Sequence, residues 1–206
     1  AIDETNFPDA YFREYLLGTL SGYEYSGADT DGDGMLSEEE RNYVESISIY
    51  GKAVRDFTGI SYFPNLKEFT VGESLAVSVD LSGNEKLVSI NMCNNKKLLS
   101  VDLSGDAMLE SVELGNNENL ESVNFDGCNQ LTSLSLEGCA ITDLDLNGCT
   151  QLSYLNCGNN QLTSLDLSFA EQLNSLYVSG NQLVELNLKN TSHLINLQCS
   201  GNQLTA

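Results

Sequence analysis

A run of twelve residues places acidic side chains at a spacing that suits a bound metal ion. The run DTDGDGMLSEEE, residues 29–40, has carboxylates at its first, third and fifth positions and a glutamate at its twelfth. Calcium loops of helix–loop–helix sites have this spacing, because it lets about six to eight oxygen atoms surround Ca²⁺. Ligation by oxygen alone also favours Ca²⁺ over zinc or copper. The predicted ligands are the side chains of Asp29, Asp31, Asp33 and Glu40, the backbone carbonyl of Met35, and Ser37 through a water.

The residues on both sides of the loop predict two helices. Apolar residues in PDAYFREYLL, residues 8–17, recur at helical spacing, with Pro8 at the first helical position. Ser37 and Glu40 can form a capping box that opens the second helix. The apolar residues expected to face the core are Phe7, Tyr11, Phe12, Tyr15, Leu16, Leu36, Tyr43 and Val44. Together these signals predict a helix–calcium loop–helix cap over residues 1–43.

A single loop of this kind favours a structural role for the ion over calcium signalling. Sensor proteins couple paired loops, whereas this chain has one, and an irregular connection at residues 18–28 precedes it. The alternative is an acidic turn exposed to water, but charge alone does not account for Gly34, Leu36 and Glu40 at their positions. We therefore expect Ca²⁺ to neutralise the carboxylates and to fix the angle between the two helices.

The rest of the chain repeats a leucine pattern every 21 or 22 residues. Segments that fit L-x-x-L-x-L-x-x-N begin at Leu66, Leu87, Leu109, Leu131, Leu152, Leu173 and Leu194, with a divergent first segment at Val44. Glycine or asparagine follows each L-x-L motif closely, and serine and β-branched residues fill the gaps, which disfavours an amphipathic helix. The pattern indicates leucine-rich repeats, in which parallel strands line the concave face of a solenoid.

A second set of segments, out of phase with the first, predicts extended structure on the opposite side of each coil. These segments begin at Ala76, Leu98, Leu120, Ile141, Leu162 and Leu183. The asparagines that follow the first set, such as Asn95 and Asn160, are expected at tight turns, where the side-chain amide can bond backbone groups of neighbouring coils. The predicted fold is an α/β solenoid over residues 44–206 behind a short helical cap.

The repeat resembles that of bacterial internalin-like leucine-rich-repeat proteins. The matching phrases are LTSLDLS (162–168), LNCGNNQL (155–162) and LQCSGNQL (197–204), and TGISYFPNL (58–66) resembles the entry turn of that family. The resemblance implies a right-handed coil with an EF-hand-like cap, a place outside the cell or on its surface, and a protein partner, for example on a host cell. Because GNQLTA ends where a further coil should begin, we also expect the natural chain to continue or this edge to be covered.

Alternation along the predicted concave strands determines which side chains point outward. These residues are polar and mildly acidic: Glu68, Thr70, Ser89, Asn91, Ser111, Glu113, Ser133, Ser135, Glu137, Tyr154, Asn156, Ser175, Tyr177, Asn196 and Gln198. Tyr154 and Tyr177 come from adjacent coils, and aromatic rings beside amides can recognise a protein or stack on a sugar. The candidate binding residues are Glu113, Tyr154, Asn156, Tyr177 and Gln198. The alternatives are ordinary polar surface, a ligand-free spacer and a carbohydrate-binding module.

Composition disfavours several function classes. Nine basic and 30 acidic residues give a net charge of −21, which repels nucleic acid and anionic lipid. No apolar run approaches the roughly 18 residues that would span a bilayer. His193 is the only histidine, and the sequence shows no nucleophile motif and no phosphate-binding glycine loop, so it predicts no enzymatic activity.

The six cysteines are interpreted as free thiols that fill the core. No C-x-x-C motif occurs, which disfavours a zinc site. Cys157 and Cys199 lie two coils apart, about 10 Å at the usual spacing between strands, which is too far for a disulfide. A bond between Cys128 and Cys149, one coil apart, stays open. In the second set, stacked aspartates such as Asp102 indicate a solvated column or, alternatively, one that a cation bridges.

Overall fold

Every predicted strand of the first set forms, because apolar and polar residues alternate and a turn follows each segment. The computed structural model describes residues 1–21, 27–51 and 53–205. Within these residues eight strands make one parallel sheet, here the long sheet, and three make another, the short sheet. In chain order the strands are β1 Ser46–Tyr50, β2 Glu68–Gly72, β3 Ser78–Asp80, β4 Ser89–Asn91, β5 Ser100–Asp102, β6 Ser111–Glu113, β7 Ser122–Asn124, β8 Ser133–Ser135, β9 Tyr154–Asn156, β10 Ser175–Tyr177 and β11 Asn196–Gln198. The order is β1-β2-β4-β6-β8-β9-β10-β11 in the long sheet and β3-β5-β7 in the short one.

Pairing in the long sheet follows the sequence repeat, so the chain is a parallel-strand β-solenoid. Val112 pairs with Leu134, Leu134 with Leu155, and Leu155 with Leu176. All four side chains are fully buried. A slip of one residue would turn each of them out to solvent, and the hydrophobic pattern therefore determines the register.

The short sheet includes only half of the extended segments that the sequence predicts on this side of the described chain. The first three segments of the second set form β3, β5 and β7, whereas the segments that begin at Ile141, Leu162 and Leu183 form no strand. Successive segments lie 22 residues apart as far as β7 and 21 residues apart beyond it. In the shorter coils the N–H of Leu162, the first residue of its segment, donates to Oδ1 of Asn181 at 3.0 Å. A turn amide thus accepts the backbone N–H at the start of that segment.

The turn asparagines join neighbouring coils as predicted. Asn160 donates from Nδ2 to the carbonyl of Cys157 in its own coil, 3.1 Å, and to that of Leu136 in the preceding coil, 2.8 Å. Its Oδ1 accepts the N–H of Ile141 at 3.0 Å. The same bond to the preceding coil is made by Asn95, Asn117, Asn181 and Asn202. Each amide thus satisfies buried backbone groups of two coils.

All six cysteines lie in the described residues and are free thiols, as predicted. Cys128 and Cys149 are therefore unbonded, and burial raises the pKa of their thiols to about 12 and about 11. Cys139 stands where five other coils have the turn asparagine, and its thiol donates to the carbonyl of Leu114 at 3.3 Å. This bond replaces one of the missing amide bonds. The two cysteines that are only partly buried are Cys93 and Cys199.

The cap contains two short helices, α1 Ala10–Leu16 and α2 Glu38–Tyr43. Asp9 caps α1, because its Oδ1 accepts the N–H of Phe12 at 2.9 Å. Pro8 consequently precedes the helix, and the prediction that it holds the first helical position is wrong. The capping box of Ser37 and Glu40 is confirmed.

Two tyrosines predicted to face the core are exposed instead. Tyr11 is 43% and Tyr43 is 80% exposed. α2 has only six residues, and Val44 leaves the helical conformation with ψ 106° to lead into β1, so Val44 is buried while Tyr43 points to solvent. No helix in the described part of the chain is long and apolar enough to cross a bilayer.

Asp9 and a row of aromatic rings join the cap to the solenoid. The second oxygen of Asp9, Oδ2, accepts the N–H of Arg55 in the first coil at 2.8 Å. The ring of Phe12 lies 5.4 Å from that of Phe57, which lies 5.3 Å from that of Phe69 on β2. The edge-to-face contacts stabilise the packing of α1 on the first coils.

Asp106 is a buried acid without a hydrogen-bond partner. The residue is 0% exposed, and neither of its carboxylate oxygens is hydrogen-bonded within the part of the chain that the structure describes. Burial, together with the charges of Asp102, Asp80 and Glu85, raises its pKa to about 8. One coil earlier, Asn84 holds the same turn position and donates to two backbone carbonyls at 3.1 Å each.

Replacement of Asp106 by asparagine should stabilise the protein at pH 8 by about 2–4 kcal/mol and have little effect at pH 4. Folding raises the pKa of this carboxyl above its unfolded value of about 4, so its contribution to stability is complete in acid and is lost as the pH rises from about 4 to about 8. Denaturant unfolding at both pH values measures the effect. The exposed Asp126→Asn is the matched control, and an equal gain in both variants would show that burial is not the cause.

Candidate functional site

Three carboxylates of the predicted calcium loop converge. One oxygen from each of Asp29, Asp31 and Glu40 lies within 4.8 Å of the other two. Ca²⁺ binds oxygens at about 2.3–2.6 Å, so ligands on opposite sides of one ion lie up to about 5 Å apart, and this spacing fits. Asp33 is exposed and is not in this group, and its Oδ1 accepts the N–H of Met35 at 2.7 Å. The side chain of Met35 is 48% exposed, and only its carbonyl was predicted as a ligand.

Backbone N–H groups shape the loop around Asp29. Gly32 donates to its Oδ1 and Gly34 to its Oδ2, both at 2.9 Å. The two glycines have φ of 76° and 77°, a conformation that costs other residues free energy, so Gly34 makes the sharp turn predicted for it. Asp29 is only 6% exposed and is held by the backbone from two sides.

Glu40 closes the loop by bonding both of its ends. Its Oε1 accepts the N–H of Thr30 at 2.6 Å and the hydroxyl of Thr30 at 2.9 Å. Its Oε2 accepts the N–H and the hydroxyl of Ser37, each at 2.9 Å. The backbone hydrogen bonds lower the pKa of Glu40 to about 2. The carboxylate is therefore ionised although buried, as a bidentate ligand at the twelfth loop position requires.

The loop is fixed to both α1 and the N-terminal segment. The N–H of Ala28 donates to the carbonyl of Leu16 at the end of α1, at 2.6 Å, and the N–H of Ile2 donates to the carbonyl of Gly34 at 2.9 Å. Leu36 packs against the core, as predicted. A change in the loop therefore reaches the helix and the core directly. The predicted connection at residues 18–28 lies partly outside the described residues.

The long sheet brings the candidate binding residues together. Strand register places Glu113, Ser135, Asn156, Tyr177 and Gln198 side by side in successive strands. Tyr154 lies in the neighbouring row, and the centroid of its ring is 5.6 Å from that of Tyr177, with the ring planes tilted by 45°. All of the candidates except Gln198 are half-buried.

Glu137 belongs to the same surface, although it was not among the candidates selected from the sequence. Its Oε2 accepts from Nδ2 of Asn156 at 2.9 Å, and its Oε1 accepts from Nδ2 of Asn159 at 3.3 Å. The sequence holds a signal for it, because this position carries Tyr50 in the first coil and a small residue in the six other coils: Gly72, Cys93, Gly115, Gly158, Ser179 and Ser200. A lone glutamate in a column of small residues can reach across to the next coil.

The surface around the two tyrosines is acidic. Burial raises the pKa of Tyr154, and Glu113, Tyr177 and Glu137 contribute to the same shift through their charges. We refer to Glu113, Glu137, Tyr154, Asn156, Tyr177 and Gln198 as the tyrosine patch. Two adjacent rings beside two carboxylates favour a ligand that is both apolar and cationic.

His193 lies at an exposed turn, as predicted. Its Nδ1 is 2.8 Å from the carbonyl oxygen of Glu171, one coil earlier. The imidazole therefore joins two coils, which is the role of a polar turn residue.

Comparison with known proteins supports the repeat architecture. A family model described as "Leucine Rich repeats (2 copies)" matches residues 129–170. No curated protein sequence matches the chain. Internalin C2 of Listeria monocytogenes has 19% identity over 98% of this chain and 88% of that one, with a TM-score of 0.65. The functional domain of InlJ from Listeria monocytogenes, which includes a cysteine ladder, has 23% identity over 98% of this chain and 52% of that one, with a TM-score of 0.52.

This chain thus spans about half of the InlJ domain and a smaller share of two receptors that are solved as complexes. One is TLR13 with ssRNA13, which has 21% identity over 83% of this chain and 28% of that one, with a TM-score of 0.63. The other is the plant peptide hormone receptor RGFR1 with RGF2, which has 18% identity over 79% of this chain and 29% of that one, with a TM-score of 0.64. At these identities the likeness establishes the fold alone. The chain has the leucine-rich-repeat fold, and internalins are among the structures that it resembles.

Proposed function

We propose that this chain is a recognition scaffold that binds a basic segment of a partner protein at the tyrosine patch. The observation that carries the proposal is the pair of rings of Tyr154 and Tyr177, 5.6 Å apart, near the carboxylates of Glu113 on β6 and Glu137 just after β8. Half-buried aromatic rings give large contact area at little entropic cost, and interfaces are enriched in them. The fold itself occurs in receptors that bind other molecules.

Charge favours a basic protein segment over RNA as the partner. A lysine or arginine over a tyrosine ring is attracted by the ring face and, here, by Glu113 and Glu137 as well. RNA would bring phosphates to a chain with a net charge of −21, and the repulsion disfavours it. A sugar is the second candidate, but Asn156, the amide best placed to bind hydroxyls, already donates to Glu137.

The double variant Tyr154→Ala/Tyr177→Ala should weaken binding of the partner at least tenfold, because the loss of each ring removes both contact area and a site for cation–π contact. The chain, immobilised, is exposed to extracellular proteins, and a captured protein is then titrated against wild type and variant. Asp102→Asn on the short sheet is the control for a change of surface charge. Undiminished binding by the double variant would contradict the proposal, and binding to a glycan array instead would support the sugar.

We also propose that Ca²⁺ binds the loop of residues 29–40 and stabilises the cap, and that the protein acts outside the cell or on its surface, where Ca²⁺ is abundant. Support comes from the convergence of Asp29, Asp31 and Glu40 and from the two glycines at positive φ. Bound Ca²⁺ would offset most of the negative charge of three neighbouring carboxylates. It would also hold α1 and α2 at one angle, through the bonds of the loop to Leu16 and Ser37.

Calcium should raise the unfolding free energy by about 3 kcal/mol when its concentration is about 100 times the Kd. Glu40→Gln and Asp29→Asn should each abolish this gain, whereas the exposed Asp143→Asn should retain it. Melting curves in Ca²⁺, in Mg²⁺ and in chelator measure the effect, with isothermal titration for the affinity. Identical melting in Ca²⁺ and chelator would show that the loop holds no calcium of structural importance.

A further inference from the structure

A cleft of about 410 Å³ lies on the side of the short sheet, between the first coil and β3. One wall is the segment 56–61, and the other runs from Ser78 to Gly83. The tyrosine patch is on the long sheet, so the two surfaces are separate. The volume falls within the range of about 300–1,000 Å³ that is typical of ligand pockets.

The cleft exists because hydrogen bonds join its two walls, from the first and second coils, at the two ends of the cleft but not along its length. At one end the N–H of Leu75 donates to the carbonyl of Val54 at 2.8 Å. At the other end Nδ2 of Asn84 donates to the carbonyls of Ile60 and Phe63, at 3.1 Å each. In the described chain no hydrogen bond links the backbones of the two walls between these points.

β3 presents an unpaired edge to this cleft. The N–H of Leu99 bonds the carbonyl of Val77, and the N–H of Leu81 bonds the carbonyl of Asp102, so odd-numbered residues of this strand face β5. Backbone groups of successive residues in a strand point to opposite sides. The N–H and C=O groups of Ser78 and Asp80 therefore point into the cleft, two donors and two acceptors at the spacing of a strand.

The side chains that line the walls of the cleft are mostly aspartate, serine and threonine, and those at its base are apolar. Asp56 and Asp80 lie on opposite walls, and Asp102 continues the acidic column beside Asp80 on β5. Phe57 and Val79, each 3% exposed, form the base. No lysine or arginine lines the cleft among the described residues.

We propose that this cleft binds an extended peptide segment with basic side chains, which pairs with the edge of β3. Main-chain bonds to Ser78 and Asp80 would give affinity, and Asp56 and Asp80 would select lysine or arginine on either side of the strand. The site takes about three residues, since β3 has three at about 3.3 Å per residue. A second copy of this chain is disfavoured as the occupant, because each copy carries a net charge of −21.

The probe is the capped pentapeptide acetyl-Thr-Lys-Val-Lys-Thr-amide, titrated into the full chain labelled with ¹⁵N at constant Ca²⁺. The amide signals of Ser78 and Asp80 should shift, and their hydrogen exchange should slow at least tenfold at saturation. A peptide with glutamate in place of lysine, and one with alternate N-methylated amides, should each bind at least tenfold more weakly. The former tests charge and the latter tests main-chain pairing.

Two variants separate the contributions within the site. Ser78→Pro removes one donor from the edge strand, a position where proline is tolerated, and should abolish binding. Asp56→Asn/Asp80→Asn keeps the backbone and should weaken binding of the lysine peptide at least tenfold, while the exposed Asp145→Asn should not. Absence of binding, equal binding of the N-methylated peptide, or shifts confined to Tyr154 and Tyr177 would overturn the proposal. The last result would leave the proposed function of the tyrosine patch standing.

Discussion

The turn amide that binds two coils at once is the interaction on which the solenoid depends. Most strands here have only three residues, so ladder bonds alone leave the buried turns with unsatisfied carbonyls. An unsatisfied buried group costs about 1–3 kcal/mol, and Asn160 removes this cost at Cys157 and Leu136 together. Where cysteine takes the position, at Cys139, the thiol keeps only one of these bonds. Stacking of the coils is thus directed by side chains as much as by strand pairing.

The length of the coil determines what its two sides can do. On one side the long sheet continues through every described coil, and it holds Tyr154 and Tyr177 at a separation that strand register sets. On the other side strand pairing ends after β7, where the repeat shortens to 21 residues. The short sheet therefore has two edges. The edge at β3 faces the cleft, whereas the long sheet offers a continuous polar face.

Much of this architecture follows from sequence periodicity, since the phase of the leucines determines strand, register and core together. The turn asparagines and the capping box were also predictable, because each rests on one local interaction. Among the features that the sequence did not predict are those in which neighbouring residues compete for the same position in a helix. Asp9 rather than Pro8 defines the start of α1, and Tyr43 is exposed because α2 ends after six residues. The sequence did not single out Glu137 as a binding residue, because its hydrogen-bond partners Asn156 and Asn159 lie one coil further along. The unpaired edge of β3 was not predicted either, because it depends on how the backbone of the first coil separates from that of the second.

Repeat solenoids unfold in segments, because each coil contacts only its neighbours. The carboxylate of Asp9 changes this at one end of the molecule. One oxygen holds the first turn of α1, and the other holds Arg55 in the first coil, so one carboxylate couples the start of the helix to the coil. The loop of residues 29–40 is coupled to the same helix through the bond of Ala28 to Leu16, so the loop, α1 and the first coil are connected by hydrogen bonds. Fraying in a linear array begins at the ends, and here Asp9 and the ring contacts of Phe12 with Phe57 oppose it together.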